Sequence, residues 1–178
     1  MALLAIAWRP IVAEEDASGR TITLEIITKN FDQNMDLLKK EIREQNVQDL
    51  IDVVRKQARS LSQSYLIHGG GNRDRLMQEK RDLRLKTHFI KADQDRLIEI
   101  DKEINAMDPN GMLSNESAAL NSSISDLQDA VNALAPITPE DKDVNRLILQ
   151  HLEFYSAAMT LAGLNDVKSG STSKKGKK

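Results

Sequence analysis

The sequence predicts a mainly α protein: an antiparallel helical bundle or partial coiled coil with a small N-terminal β-hairpin. Three observations carry that expectation. Apolar residues recur at three- and four-residue steps through most of residues 30–163, the period of helices with one buried face. Glycine and proline clusters at Gly69-Gly70-Gly71, Asp108-Pro109-Asn110-Gly111 and Pro136 cut that pattern into segments. Period-two alternation is confined to residues 3–27. At 178 residues with 40% hydrophobic content, the chain can bury one core, as one domain or one domain with an arm.

Residues 1–28 form the expected hairpin arm. Leu4, Ile6 and Trp8 alternate with smaller residues, and Glu14-Glu15-Asp16-Ala17-Ser18-Gly19 is polar with a glycine at its end. Thr21-Ile22-Thr23-Leu24-Glu25-Ile26 then alternates again, as the second strand of a hairpin would. A rival reading starts the first helix near Thr21, because Leu24, Ile27 and Phe31 also share a helical face. A lone hairpin is marginal in water, so the arm is expected to pack on the helices or pair with another chain.

Residues 29–107 are expected to form a long helical hairpin around the Gly69–Gly71 connector. Phe31, Met35, Leu38 and Ile42 make one stripe, and Val47, Ile51, Val54, Ala58, Leu61 and Tyr65 make a second. The step between them, Ile42 to Val47, is five residues, so Gln45-Asn46 marks either a turn or a skip in one helix. Three consecutive glycines oppose helical geometry, and Asn72 or Asp74 opens the next helix, which runs to about Met107. There Leu76, Leu83, Ile90, Leu97 and Ile104 recur every seven residues, whereas the companion column Glu79, Lys86, Asp93, Ile100 and Met107 begins polar. A two-stranded seam wants both columns apolar, so this is half a coiled coil whose single stripe calls for a partner. Those five apolar residues are the expected partner interface.

Residues 108–164 are expected to be a C-terminal helical pair. Asp108-Pro109-Asn110-Gly111 is a turn, and Ser114 is placed to cap a helix carrying Leu113, Leu120, Ile124, Leu127, Val131 and Leu134. Thr138-Pro139-Glu140-Asp141 supplies a cap, a proline suited to the first helical position and two carboxylates for the positive end of the helix dipole. Val144, Leu147, Ile148, Leu152, Tyr155, Met159 and Leu161 follow, and Gly163 is placed to end the helix. Residues 165–178 are short, polar and lysine-rich and are expected to be a disordered basic tail.

Charge and composition then exclude function classes. The chain has 25 basic and 27 acidic residues, net -2, but Lys168, Lys174, Lys175, Lys177 and Lys178 fall in the last eleven residues. Without them the body carries 20 basic against 27 acidic side chains, a sign that repels nucleic-acid phosphates. Nucleic acid is therefore expected to be contacted only through the basic tail. With no cysteine, disulfides, thiol catalysis and Cys-ligated metals are excluded. His68, His88 and His151 lie on separate elements with no pair at metal spacing. Asp108, Asn110 and Gly111 imitate part of a calcium loop, but Ala106 and Ser117 stand where that loop needs carboxylates. The glycine run lacks the preceding strand and the Lys-Ser/Thr ending of a phosphate loop, and no Gly-x-Ser-x-Gly elbow frames a serine.

No cofactor, metal or catalytic activity is expected. No stretch approaches the length of a transmembrane helix, and the apolar opening lacks the basic flank of a signal peptide. The expected placement is cytoplasmic, or within an intracellular assembly such as a virion. The expected role is that of a non-enzymatic structural or scaffolding protein, working through helix–helix contacts as a homo-oligomer or a subunit of a larger complex. The alternative is a nucleic-acid accessory protein acting through the lysine tail.

Overall fold

The computed structural model describes residues 23–164, which hold six helices and no strand. These are α1 (Leu24–Lys39), α2 (Gln45–Ile67), α3 (Gly70–Arg84), α4 (Lys91–Met107), α5 (Met112–Asn132) and α6 (Pro139–Leu161). Four of them, α1, α2, α5 and α6, close a bundle: α1 packs on α2 and α6, and α5 packs on α2 and α6. The pair α3–α4 is inserted between α2 and α5 in the chain and packs chiefly on itself, touching α2 through α3.

The expected strand at 21–26 is corrected where it is described, since Leu24 already belongs to α1. The helical period wins because Leu24, Thr28, Phe31, Met35 and Leu38 bury one continuous face, which six alternating residues cannot match. The remainder of the expected hairpin lies outside the described residues. Gln45-Asn46 is the start of a helix after a true turn, not a skip. Glu41 and Ile42 donate their amides to Leu38 and Lys39, and buried Ile42 closes this end of the bundle.

Core burial follows the sequence stripes. Val47, Ile51, Val54, Ala58, Leu61 and Tyr65 of α2 meet Leu113, Leu120, Ile124, Leu127 and Val131 of α5 and Val144, Ile148, Leu152, Tyr155 and Met159 of α6. Phe31 stacks on Tyr155 with ring centroids 4.5 Å apart. The Tyr155 hydroxyl shares a 2.7 Å hydrogen bond with Thr28 Oγ1, so neither buried polar group is left unpaired. Outside the core, Arg55 of α2 reaches Asp32 at 2.8 Å and Asp36 at 3.0 Å on α1. Arg59 also reaches Asp32, at 2.8 Å. Burial opposes the Arg55 charge, but these contacts, with Asp52 of α2 at 3.3 Å, outweigh it and raise its pKa.

Helix ends explain the rest of the bundle. Thr138 Oγ1 accepts from the Asp141 amide at 3.1 Å, and the Asp141 carboxylate accepts from the Thr138 amide at 3.2 Å, closing the expected cap of α6. Gly163, at φ +74°, stops the helix, and Leu164 donates back to Met159 O at 2.9 Å in a Schellman turn. The cap assigned to Ser114 is corrected: that residue lies inside α5. Asp108 does the capping, accepting from the Met112 amide at 2.9 Å and the Leu113 amide at 3.0 Å. Both of its carboxylate oxygens are thus occupied by the interhelical turn.

Candidate functional site

The largest departure from the sequence reading falls in residues 70–107. One helix to Met107 was expected; the structure breaks it at residues 85–90 into α3 and α4. The turn begins at Leu85, where α3 ends, and Ile90 is the first residue of the new cap. The Asp93 carboxylate accepts from the Ile90 amide at 3.1 Å and from Lys86 Nζ at 2.6 Å. The Lys86 contact chiefly, and the Ile90 amide secondarily, hold the Asp93 carboxyl below its ordinary pKa. Two signals for this break are visible in the sequence. Thr87, His88 and Phe89 are three consecutive weak helix formers, and Asp93 stands three residues after Ile90, where a carboxylate can reach back to a helix start.

The break folds the heptad column onto itself. Leu76 of α3 and Ile104 of α4 are buried together with Met77 and Ile100, and Leu83 and Met107 pack against them. Leu97 is half-buried, and Ile90 is exposed at the tip. So Leu76 and Ile104, counted as partner interface from sequence, are covered within the chain, whereas Ile90 is not. Helix α3 packs chiefly on α4 and also contacts α2 across the Gly69 turn.

Ion pairs clasp the two helices along their flanks. Arg96 of α4 binds Glu79 of α3 through two contacts of 2.6 and 2.9 Å, and also reaches Glu99 at 2.8 Å and Glu103 at 2.9 Å. The Arg96 contact holds the Glu79 carboxyl below its usual range, and the three glutamates push the Arg96 pKa up. Lys80, itself buried, donates to Asp101 at 2.6 Å.

Helix α3 is fixed to the bundle at its base and again near its far end. Tyr65 of α2 donates to Asp74 at 2.6 Å, Arg73 lies 5.9 Å above the Tyr65 ring, and Arg81 donates to Leu161 O at 2.7 Å. Burial raises the Asp74 pKa, against the opposing effect of the Tyr65 hydroxyl, and burial likewise raises that of Tyr65. Gly69, at φ +116°, makes the reversal between α2 and α3 and lies against the Met107 side chain. Only the start of the glycine run is a connector, because α3 begins at Gly70.

The distal end is different. Residues 84–92 are all exposed. Leu85 is 80% exposed, Phe89 49% and Ile90 59%, in a run that also holds Arg84, Lys86, His88 and Lys91 and no acid. An exposed tip carrying three large apolar side chains with Arg84, Lys91 and the Asp93-paired Lys86 is the most chemically distinctive surface of the described residues. Sequence reasoning picked Ile90 from it and missed Leu85 and Phe89, because neither falls on the heptad column.

Other candidate chemistry is sparse. His68 Nδ1 lies 3.2 Å from Met107 O at the hairpin base, His88 is on the tip, and His151 is buried in the bundle. The three histidines are therefore not brought together. No cluster of metal-ligating side chains occurs among the described residues, and none of their helices is long and apolar enough to cross a membrane. At the bundle end that holds the α1–α2 turn and the α5–α6 connection is a shallow groove of about 30 Å³, lined by Ile42, Leu134, Pro136, Ile137 and Val144 among others. Small-molecule sites typically enclose about 300 Å³ or more, so this groove has the scale of a side-chain tip rather than a ligand. Lys168, Lys174, Lys175, Lys177 and Lys178 lie outside the described residues. No protein-family model, curated protein or solved structure matches the chain.

Proposed function

We propose that this chain is a non-enzymatic assembly protein, in which the α1–α2–α5–α6 bundle is a rigid platform and the α3–α4 hairpin an arm that makes protein–protein contacts. The exposed tip is the observation that carries the reading. Leu85, Phe89 and Ile90 stay in water at the end of a hairpin whose Leu76 and Ile104 are already buried within the chain. Apolar side chains grouped at a protruding tip cost free energy unless another surface covers them. Arg84 and Lys91 beside them, with Lys86 paired to Asp93, favour a partner of negative charge.

Light scattering behind a sizing column tests this at several protein concentrations. The expected mass rises above 19.9 kDa with concentration and returns to that of a single chain in Phe89→Asp. A single-chain mass at every concentration would overturn self-assembly, and association unaffected by Phe89→Asp would overturn the tip as its contact.

A further inference from the structure

We propose that the tip of the hairpin docks into the groove between the α1–α2 turn and the α5–α6 connection of a second copy of this chain, head to tail. The inference rests on the assembly reading above and names its partner. Two surfaces of the molecule complement each other. The tip offers Leu85, Phe89 and Ile90 among Arg84, Lys86 and Lys91. The groove offers Leu134 and Ile137, the latter 78% exposed, over buried Ile42 and among Glu41, Glu44 and Asp141, with Arg43 the one cation lining it. A basic apolar knob thus faces an acidic apolar hole, and the signs match the acidic body of the chain as a whole.

Placement fixes the kind of contact. The groove lies at the end of the bundle where α1 turns into α2, and the hairpin joins the bundle where α2 ends, the length of that 23-residue helix away. Such a helix spans roughly 35 Å. The tip and the groove are two different patches of one chain, so their contact is heterologous and propagates from copy to copy unless a ring closes. The groove volume of about 30 Å³ admits the end of one side chain, so the anchor is a single tip residue with the charged rim around it.

A mixing experiment separates this contact from every other self-contact. One full-length variant carries Phe89→Asp and Ile90→Asp (dead tip, intact groove), and a second carries Glu41→Lys and Glu44→Lys (intact tip, repelling groove). All four positions are exposed, and circular dichroism checks that each variant keeps its helices. Ile137→Ser is a second groove variant that alters no charge. Alone, each variant is expected to run as a single chain; mixed in equal amounts, they are expected to form a two-chain species, since one intact tip still meets one intact groove. Raising salt from 50 to 500 mM should weaken that species roughly ten-fold or more, as screening removes the charge attraction.

If the groove variants associate like the unmodified chain while the tip variant does not, the contact is tip to tip; the inference falls and the assembly reading stands. If the unmodified chain is itself a single chain at every concentration, self-assembly and this inference fall together.

Discussion

Substituting Leu76→Ala should open the α3–α4 hairpin while leaving the four-helix bundle closed. Leu76 is fully buried, and only Met77, Ile100 and Ile104 are buried with it. A leucine truncated to alanine at such a site loses both its transfer free energy and the contacts around the cavity, about 3 kcal/mol. The bundle core is far larger and shares none of these side chains. Amide protons of residues 73–107 should therefore exchange about 150-fold faster, since each 1.4 kcal/mol is a factor of ten. Amides of α2 and α6 should exchange as before. Hydrogen exchange resolved by peptide mass reads both regions in one experiment, and Ile148→Ala in the bundle is the control that should accelerate exchange in α1, α2, α5 and α6. Equal acceleration of all six helices by Leu76→Ala would refute the division into two packing units.

Tyr155→Phe keeps the stacking on Phe31 but strands the buried Thr28 hydroxyl, which should cost about 1–2 kcal/mol in urea unfolding. The Tyr155 phenol, pushed up to about 12 by burial, should stay protonated in a spectrophotometric titration until well above pH 10. Gly69→Ala places a methyl group against Met107 at φ +116° and should lower stability by about 1–3 kcal/mol in the same assay; an unchanged midpoint would contradict the left-handed turn. His151 is buried with no hydrogen-bond partner on Nε2 among the described residues, and burial lowers its pKa. The unfolded chain then takes up a proton at His151 near pH 6.5 while the folded chain does so only at lower pH, so stability should fall as pH drops below about 6.5. That fall should shrink in His151→Gln, and parallel pH curves for the two proteins would remove His151 from the explanation.

The bundle was legible because its residues obey one period over long windows. The stripes from Phe31 to Ile42, Val47 to Tyr65, Leu113 to Leu134 and Val144 to Leu161 became the core almost residue for residue, with Leu134 partly buried and Leu161 exposed. The Thr138 cap was equally plain, since Thr, Pro and two acids in order have few other uses. The alternation at 21–26 misled because six alternating residues fit two periods at once, and only the continuation through Phe31 and Met35 decides between them. The heptad column misled more deeply. A seven-residue repeat is satisfied equally by one long helix and by two antiparallel helices whose stripes face each other. What chooses between them is the weak stretch Thr87-His88-Phe89, whose cost in a helix is small per residue. The tip was invisible for the same reason: Leu85 and Phe89 acquire their exposure only once the chain turns there.

The hairpin is the premise on which the tip, its contacts and the assembly role all depend, and a single distance tests it. The chain has no cysteine, so Gln78→Cys and Lys102→Cys give a uniquely spin-labelled pair on exposed positions of α3 and α4. Packed antiparallel helices lie about 8–10 Å apart, so pulsed electron resonance should find the labels within about 20 Å of each other. One uninterrupted helix across the 24 residue steps from 78 to 102 would hold the labels roughly 36 Å apart, and a distribution centred there would contradict the fold of the arm and every contact assigned to its tip.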